Sequence, residues 1–296
     1  MNKLTKINDT TYKTNSQRNY VPLHVSDEAI QKCIDFAYEM TYGRGYHRAN
    51  SSGSDYKRKP SEIFASTFQG KLAECALQEY LKALNVKVSD VDFTVGGKGT
   101  WDEYDLLSFE NAISVKSSKD YMQMLLLNKN DFDEDGKYIH STSEEYAAPD
   151  YFVFSRVRPN INWIVKKSDL PLRQLVSKED VERLVLPCNW SVDLTGFIDH
   201  EEFKDIVIKD GFFVNKNDTV DNLNLFSDYY YTQTGDLNEV HDMAIDLLRD
   251  GFDDYIMEQI EMTDEELEDA VETYAMLELL YGEDSEFAEE QDEAAV

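Results

Sequence analysis

The sequence predicts an α/β fold, with a mixed central sheet flanked by helices and a helical acidic C-terminal region. A long apolar recurrence of helical period over residues 61–84 and short Ile-, Val-, Leu- and Tyr-rich segments between residues 104 and 166 predict the core. The charge distribution predicts the C-terminal region, because residues 236–296 hold 23 acids and one base. Their net charge is −22, whereas 36 acids and 28 bases give the remaining 235 residues −8.

Two helices are predicted first along the chain. Ser26 is a candidate N-cap for a helix over residues 26–42, with acidic residues in its first turn. Pro60 and the N-cap candidate Ser61 open the second helix, which runs to residue 84. Glu74 lies at the edge of the apolar stripe of this helix, where a charge needs a partner.

Strands are predicted next. Residues 104–108 and 112–117 suit two antiparallel strands joined by a turn around residues 109–111. Asp105 would then lie near the end of one strand and Lys116 near the end of the next.

Further strands are predicted downstream. Residues 148–157 and 162–166 are expected to continue the same sheet, and Trp163 and Trp190 are expected to pack. Later strand-like pieces occupy residues 205–209, 211–214 and 229–232.

The acidic region is predicted to begin with two helices, over residues 240–248 and 267–281, whereas residues 283–296 lack core residues and are expected to be disordered. The predicted divisions are an N-terminal helix and basic loop (1–60), the core (61–170), an extension (171–235), the acidic helices (236–282) and the tail (283–296).

The order of acid, acid and lysine in this core resembles the restriction-endonuclease-like nucleases, which are named for a Pro-Asp, Asp/Glu-x-Lys motif. Glu74 matches the helix acid of that family, Asp105 the aspartate, Val115 the apolar spacer and Lys116 the lysine. The resemblance covers roughly residues 61–170. Ser114 stands where the family usually has a second acid, so one charged ligand is missing.

The resemblance implies a site for Mg²⁺ or Mn²⁺, with Glu74, Asp105 and the backbone carbonyl of Val115 as metal ligands. Lys116 would orient the attacking water or stabilise charge in the transition state, and Ser114 would add a hydroxyl or water-bridged contact. An alternative is purely structural. In that reading Glu74 pairs with a lysine, either Lys71 or Lys116, and Asp105 caps a turn.

A Gly- and Ser-rich loop before the second helix interleaves basic residues with tyrosines, which suits contact with phosphates and unpaired bases. A solvated linker is the alternative. The residues predicted to bind nucleic acid are Arg44, Arg48, Lys57, Arg58, Lys59 and Lys119.

The leading functional prediction is a metal-dependent DNA endonuclease of restriction or phage type. The alternative is a catalytically degenerate nuclease-fold protein that acts as an acidic DNA mimic or inhibits a DNA-processing or defence complex, which Ser114 and the acidic tail favour. DNA is the expected partner, with a protein partner through the acidic helices, and a homodimer is left open. Three widely separated cysteines indicate reduced thiols, and a cytoplasmic protein without membrane association is expected.

Overall fold

The computed structural model describes residues 1–43, 45, 58–95, 104–139, 148–170 and 176–259, the last of these with side chains to residue 251. It confirms a mixed α/β fold. The strands are β1 (Thr5–Asn8), β2 (Thr11–Lys13), β3 (Leu23–His24), β4 (Leu106–Ser108), β5 (Asn111–Lys119), β6 (Met124–Asn128), β7 (Tyr151–Arg158), β8 (Ser191–Asp199), β9 (Phe213–Val214), β10 (Thr219–Val220), β11 (Leu223–Asn224) and β12 (Tyr229–Gln233). The helices are α1 (Asp27–Tyr42), α2 (Pro60–Ala83), α3 (Ile161–Lys167), α4 (Lys178–Val185), α5 (His200–Glu202) and α6 (Val240–Gln259).

The central sheet has five strands in the order β3-β8-β7-β5-β4. The predicted hairpin of β4 and β5 is confirmed, with Leu106 opposite Ile113 in an antiparallel pair. The β5 and β7 strands run parallel, whereas β8 runs antiparallel to β7 and to β3. Six consecutive residues of β7 are buried, as expected for a strand that is covered on both faces.

Two apolar cores cover the two faces of this sheet. On one face, Val153 and Val157 of β7 contact a core that includes residues of α1, α2, α3, α4 and α6. On the other face, Phe152 and Phe154 contact a core formed with β6, β12 and the segment after α5. The alternation of β7 side chains between the two cores follows from the two-residue period of a strand.

The smaller sheets surround the second core. One contains β6, β12 and β9, and the other contains β1, β2, β10 and β11. Tyr230 and Tyr231 of β12 and Val220 of β10 are buried in the second core, so the N-terminal strands and residues 213–233 close the same side of the molecule.

Helix α2 carries Glu74 and is buried around much of its circumference, including Phe64, Ala65 and Leu72. It begins at Pro60, so the prediction of Ser61 as N-cap is wrong by two residues. Lys59 precedes the first turn, and its N–H donates to the Glu62 carboxylate at 2.8 Å. Proline suits the first helical position, because the N–H that it lacks would have no partner within the helix.

The predicted strand over residues 162–166 is wrong, because these residues belong to α3. The Asn160 side chain accepts from Trp163 N and caps the helix, while Ile161 and Val165 bury one face four residues apart. Trp163 is 60% exposed, contrary to its predicted packing. Trp190 does pack, with its ring centroid 4.8 Å from that of Phe68.

The later predictions are confirmed in part. Residues 205–209 were expected to form a strand, but Phe203–Ile208 is a turn of π-helix, which buries Phe203 and Val207. The strand-like pieces at 211–214 and 229–232 correspond to β9 and β12. The first acidic helix is confirmed as α6.

Residues 267–281 and 283–296 lie outside the described residues. In α6, Met243 and Leu247 are fully buried, so its apolar face packs into the first core. Across the described ranges, none of the helices has the length and apolar composition that crossing a bilayer requires.

Candidate active site

The candidate site lies where β4 begins beside β5. The Asp105 N–H donates to the Ile113 carbonyl at 3.1 Å, one residue before the first residue of β4. Beyond this point β5 continues to Lys119 without β4 at its side. Among the described residues, the hairpin therefore leaves part of one edge of β5 without a partner strand and places the Asp105 side chain there.

Three of the predicted residues are joined by hydrogen bonds. Lys116 Nζ donates to Ser114 Oγ at 2.7 Å, and Ser114 Oγ donates to Asp105 Oδ2 at 3.3 Å. Asp105 Oδ2 also accepts from the Val115 N–H at 2.7 Å. Ser114 thus takes the place of a carboxylate between the lysine and the aspartate, and its hydroxyl links them.

The Val115 backbone faces the same open edge. Within a strand, the N–H and C=O of one residue point to the same side, as they do when two residues exchange both hydrogen bonds. Because the Val115 N–H donates to Asp105, its carbonyl points towards the carboxylate side of β5. The carbonyl predicted to bind a metal therefore lies on the same side of β5 as Asp105.

Glu74 reaches the site from α2, but its direct partner is Lys71. Lys71 Nζ lies 2.6 Å from Glu74 Oε2, and both residues are only 7% exposed. Burial, reinforced by the nearby charge of Asp105, raises the pKa of Glu74 to about 8, and Lys71 opposes that rise. The two predicted acids are therefore within electrostatic reach of each other.

Lys71 is the residue that sequence reasoning named only as a structural alternative. Its ammonium lies 5.3 Å from the centroid of the Phe36 ring on α1, which adds a cation–π contact to the ion pair. The signal available in the sequence was the spacing of three residues between Lys71 and Glu74, which puts both on one helix face. Their common burial depends on the packing of α1 and α2.

The described residues contain no group of three or more His, Cys, Asp or Glu that could hold a metal ion. The oxygens at this site include two carboxylates, the Ser114 hydroxyl and the Val115 carbonyl. Mg²⁺ commonly keeps several waters and takes one or two carboxylates from the protein, so this set fits a sparse magnesium site. The pairing of Glu74 with Lys71 weakens the fit, because the ammonium already neutralises one carboxylate.

The structure describes three of the six residues predicted to bind nucleic acid. Arg44, Arg48 and Lys57 lie outside the described residues. Arg58 Nη1 donates to Ser66 Oγ at 3.2 Å on α2, and burial lowers the pKa of Arg58, so this guanidinium braces the start of the helix. The remaining two are Lys59, which is exposed, and Lys119, which ends β5.

Comparison with known proteins gives no match to this chain. No protein-family model matches it, and neither does any curated protein or solved structure.

Proposed function

We propose that the chain is a metal-dependent nuclease that hydrolyses DNA phosphodiester bonds and is built on a restriction-endonuclease-like core. The observation that carries the proposal is a pair of hydrogen bonds at the edge of β5, from Lys116 to Ser114 and from Ser114 to Asp105. Glu74 lies within electrostatic reach of this group. The site combines negative charge for a cation with an ammonium for phosphate chemistry.

Glu74, Asp105 and the Val115 carbonyl would hold Mg²⁺ or Mn²⁺. Bound there, the cation would supply positive charge for the phosphoryl oxygens and a coordinated water of lowered pKa. The Val115 N–H keeps the Asp105 carboxylate at the open edge through its 2.7 Å hydrogen bond. A cation at this edge would offset the charge of Asp105, which helps to raise the pKa of Glu74.

Lys116 would act on the reacting groups. The Ser114 hydroxyl holds its ammonium at 2.7 Å, which fixes the lysine beside Asp105 and limits its freedom. From there, Lys116 would orient the attacking water or stabilise the charge that develops on the phosphoryl oxygens. The preorganised hydrogen bond reduces the rearrangement that this role requires.

A second candidate is a binding protein that keeps the nuclease fold and does not cut. The Lys71–Glu74 ion pair favours it, because a resident ammonium meets part of the need for a cation. Ser114 favours it as well, because a hydroxyl is a weaker ligand than a carboxylate. A protein partner and a homodimer belong to this candidate as further proposals.

Incubation of the purified full chain with supercoiled, linear and single-stranded DNA, in Mg²⁺, Mn²⁺ or EDTA, separates the two candidates. We expect metal-dependent cutting that Lys116→Ala and Asp105→Ala abolish while circular dichroism stays unchanged. Lys6→Ala, which removes an exposed lysine of β1, is the matched control and should cut like the wild type. Equal cutting by the wild type and both site variants would contradict the proposal.

A further inference from the structure

The strands that carry the candidate site are basic in a strongly acidic chain. The whole sequence holds 59 acids and 29 Lys or Arg. In contrast, β5 and the continuous segment of residues 151–167, which covers β7 and α3, contain six basic residues and no acid. These residues are Lys116, Lys119, Arg156, Arg158, Lys166 and Lys167. Basic side chains are therefore concentrated in β5, β7 and α3.

The parallel pairing of β5 and β7 brings their basic ends together. Lys119 lies opposite Val157, the residue before Arg158. Arg158 Nε donates to Asp120 Oδ2 at 2.9 Å, and this contact ties the end of β7 to the residue that follows β5. Arg156 is not available to a ligand, because it is buried against Asp193.

Aromatic rings accompany the accessible cations. The Arg158 guanidinium lies 4.5 Å from the centroid of the Tyr20 ring, and Lys119 Nζ lies 5.9 Å from that of Tyr121. Tyr121 is 57% exposed, so much of its ring is open to solvent.

The α3 helix repeats this pairing of a cation with an open ring. Lys167 Nζ lies 5.4 Å from the centroid of the Trp163 ring, and Trp163 is 60% exposed. Trp163 is five positions after Arg158, so their Cα atoms are at most about 18 Å apart. We call Tyr20, Lys119, Tyr121, Arg158, Trp163 and Lys167 the cation–aromatic surface.

A single exposed aromatic residue is ordinary and needs no explanation. Here the open rings of Tyr121 and Trp163 each lie beside a cation of the acid-free segments, Lys119 and Lys167 respectively. The cations suit phosphates, and the ring faces suit stacking on bases.

We propose that the cation–aromatic surface binds single-stranded nucleic acid and delivers it to the candidate active site. Stacking on Tyr121 and Trp163 requires unpaired bases, whose faces are covered in a duplex. Lys119 and Lys116 are three residues apart on β5, about 10 Å along the strand, and their side chains point to opposite faces of the sheet, so the nucleic acid would pass around the edge of β5 to reach the site. The role as substrate platform rests on the proposed nuclease function, whereas binding itself does not require cleavage.

Fluorescence anisotropy with a labelled oligothymidylate of about 20 nucleotides, in EDTA, tests binding without cleavage. We expect Tyr121→Ala and Trp163→Ala each to weaken the affinity about fivefold or more, because a stacked base contributes on that scale. The triple variant Lys119→Gln, Arg158→Gln and Lys167→Gln should flatten the dependence of log affinity on log salt by about 2.

The chain offers a matched control in another cation–aromatic pair. Lys129 Nζ lies 4.2 Å from the Phe213 ring centroid, and Phe213 is 43% exposed. Phe213→Ala and Lys129→Gln should leave affinity unchanged. Equal losses in these controls, unchanged affinity in the Tyr121 and Trp163 variants, or tighter binding of the matched duplex would overturn the proposal.

The cleavage assay keeps the two proposals distinguishable. Binding in EDTA that depends on Tyr121 and Trp163, with no cutting in Mg²⁺ or Mn²⁺, would support the surface and contradict the nuclease. Metal-dependent cutting that is unchanged in the Tyr121 and Trp163 variants would support the nuclease and contradict the surface.

Discussion

Ser114 is the residue on which the chemistry of the site depends most directly. Its hydroxyl links Lys116 to Asp105 but brings no negative charge. We expect Ser114→Glu to raise metal-dependent DNA cleavage about tenfold or more, because loss of one transition-state contact typically costs at least that much. Cleavage rates in Mg²⁺ and Mn²⁺ measure the effect.

Ser118→Glu is the matched control for this gain, because it adds the same charge to the same strand, four residues farther along. Its cleavage rate should stay at that of the wild type. A gain of equal size in both variants would show that the added charge acts without regard to its position, and no gain in Ser114→Glu would count against a degenerate active site.

Glu74 predicts a dependence of stability on pH. Its pKa is raised to about 8 from an ordinary value of 4.5, so at intermediate pH the folded protein holds a proton that the unfolded chain has released. The free energy of unfolding should therefore fall as the pH rises from about 4.5 to about 8, and this contribution should level off above that range. Glu74→Gln should remove this part of the slope.

Urea denaturation at several pH values measures this slope. Glu110→Gln is the control, because Glu110 is an exposed carboxylate in the turn between β4 and β5. A variant Glu74→Gln with the same slope as the wild type, or an equal change in Glu110→Gln, would contradict the prediction.

At the scale of elements, β7 and β8 are joined by a buried charge pair. The Arg156 side chain is 1% exposed and that of Asp193 is 3% exposed, and Arg156 Nε donates to Asp193 Oδ2 at 2.7 Å. Arg156 also donates to Gln123 Oε1 at 3.2 Å, and Thr195 Oγ1 donates to Asp193 at 3.3 Å. The pair therefore lies within a network that joins β7, β8 and Gln123, the residue before β6.

We expect Asp193→Ala to lower the free energy of unfolding by about 3–5 kcal/mol, because it leaves the Arg156 guanidinium buried without its counter-ion. The double variant Arg156→Met and Asp193→Leu should recover most of this loss, since neither charge then remains. Chemical denaturation measures both. Asp9→Ala, which breaks an exposed pair with Lys6, is the control and should change stability little. A double variant no more stable than Asp193→Ala would contradict the prediction.

The elements that the sequence predicts well are those with local signals. The Ser26 cap, the apolar recurrence of α2 and the hairpin of β4 and β5 depend on residues a few positions apart. In α3 the apolar run from Trp163 to Val165 suited a strand, but the Asn160 cap and the burial of Ile161 with Val165 favour a helix. The hydrogen-bond partners of Ser114 are local and follow from the hairpin. The burial of Lys71 with Glu74 depends on α1, which no local pattern reveals.

At the scale of the whole molecule, the distribution of charge separates the two functional classes. Residues 283–296 contain seven acids and no base. We expect deletion of this segment to raise the affinity for DNA, because less negative charge then repels the phosphates. The gain should be largest at low salt, where charges act over about 30 Å, and smaller at physiological salt, where they act over about 8 Å.

Anisotropy titrations at several salt concentrations measure this change. A chain of full length in which the seven acids are replaced by their amides is the control for length, and it should reproduce the gain. Loss of a protein partner from pull-down, without any gain in DNA affinity, would instead support the binding-protein candidate. If the deletion changes only the solubility of the protein, the segment has no role in DNA binding or in partner binding.

The late start of β4, at Leu106, makes the backbone amide of Val115 a reporter of the site. The Val115 N–H donates to a side chain, the Asp105 carboxylate, where a longer β4 would have supplied a carbonyl. A cation that draws electron density from this carboxylate weakens its hold on the amide proton, so occupancy of the site should change the hydrogen-exchange rate of Val115. Neighbouring amides that donate to backbone carbonyls would keep their rates. Hydrogen exchange at Val115 could then report cation binding in the full chain even where no DNA is cut.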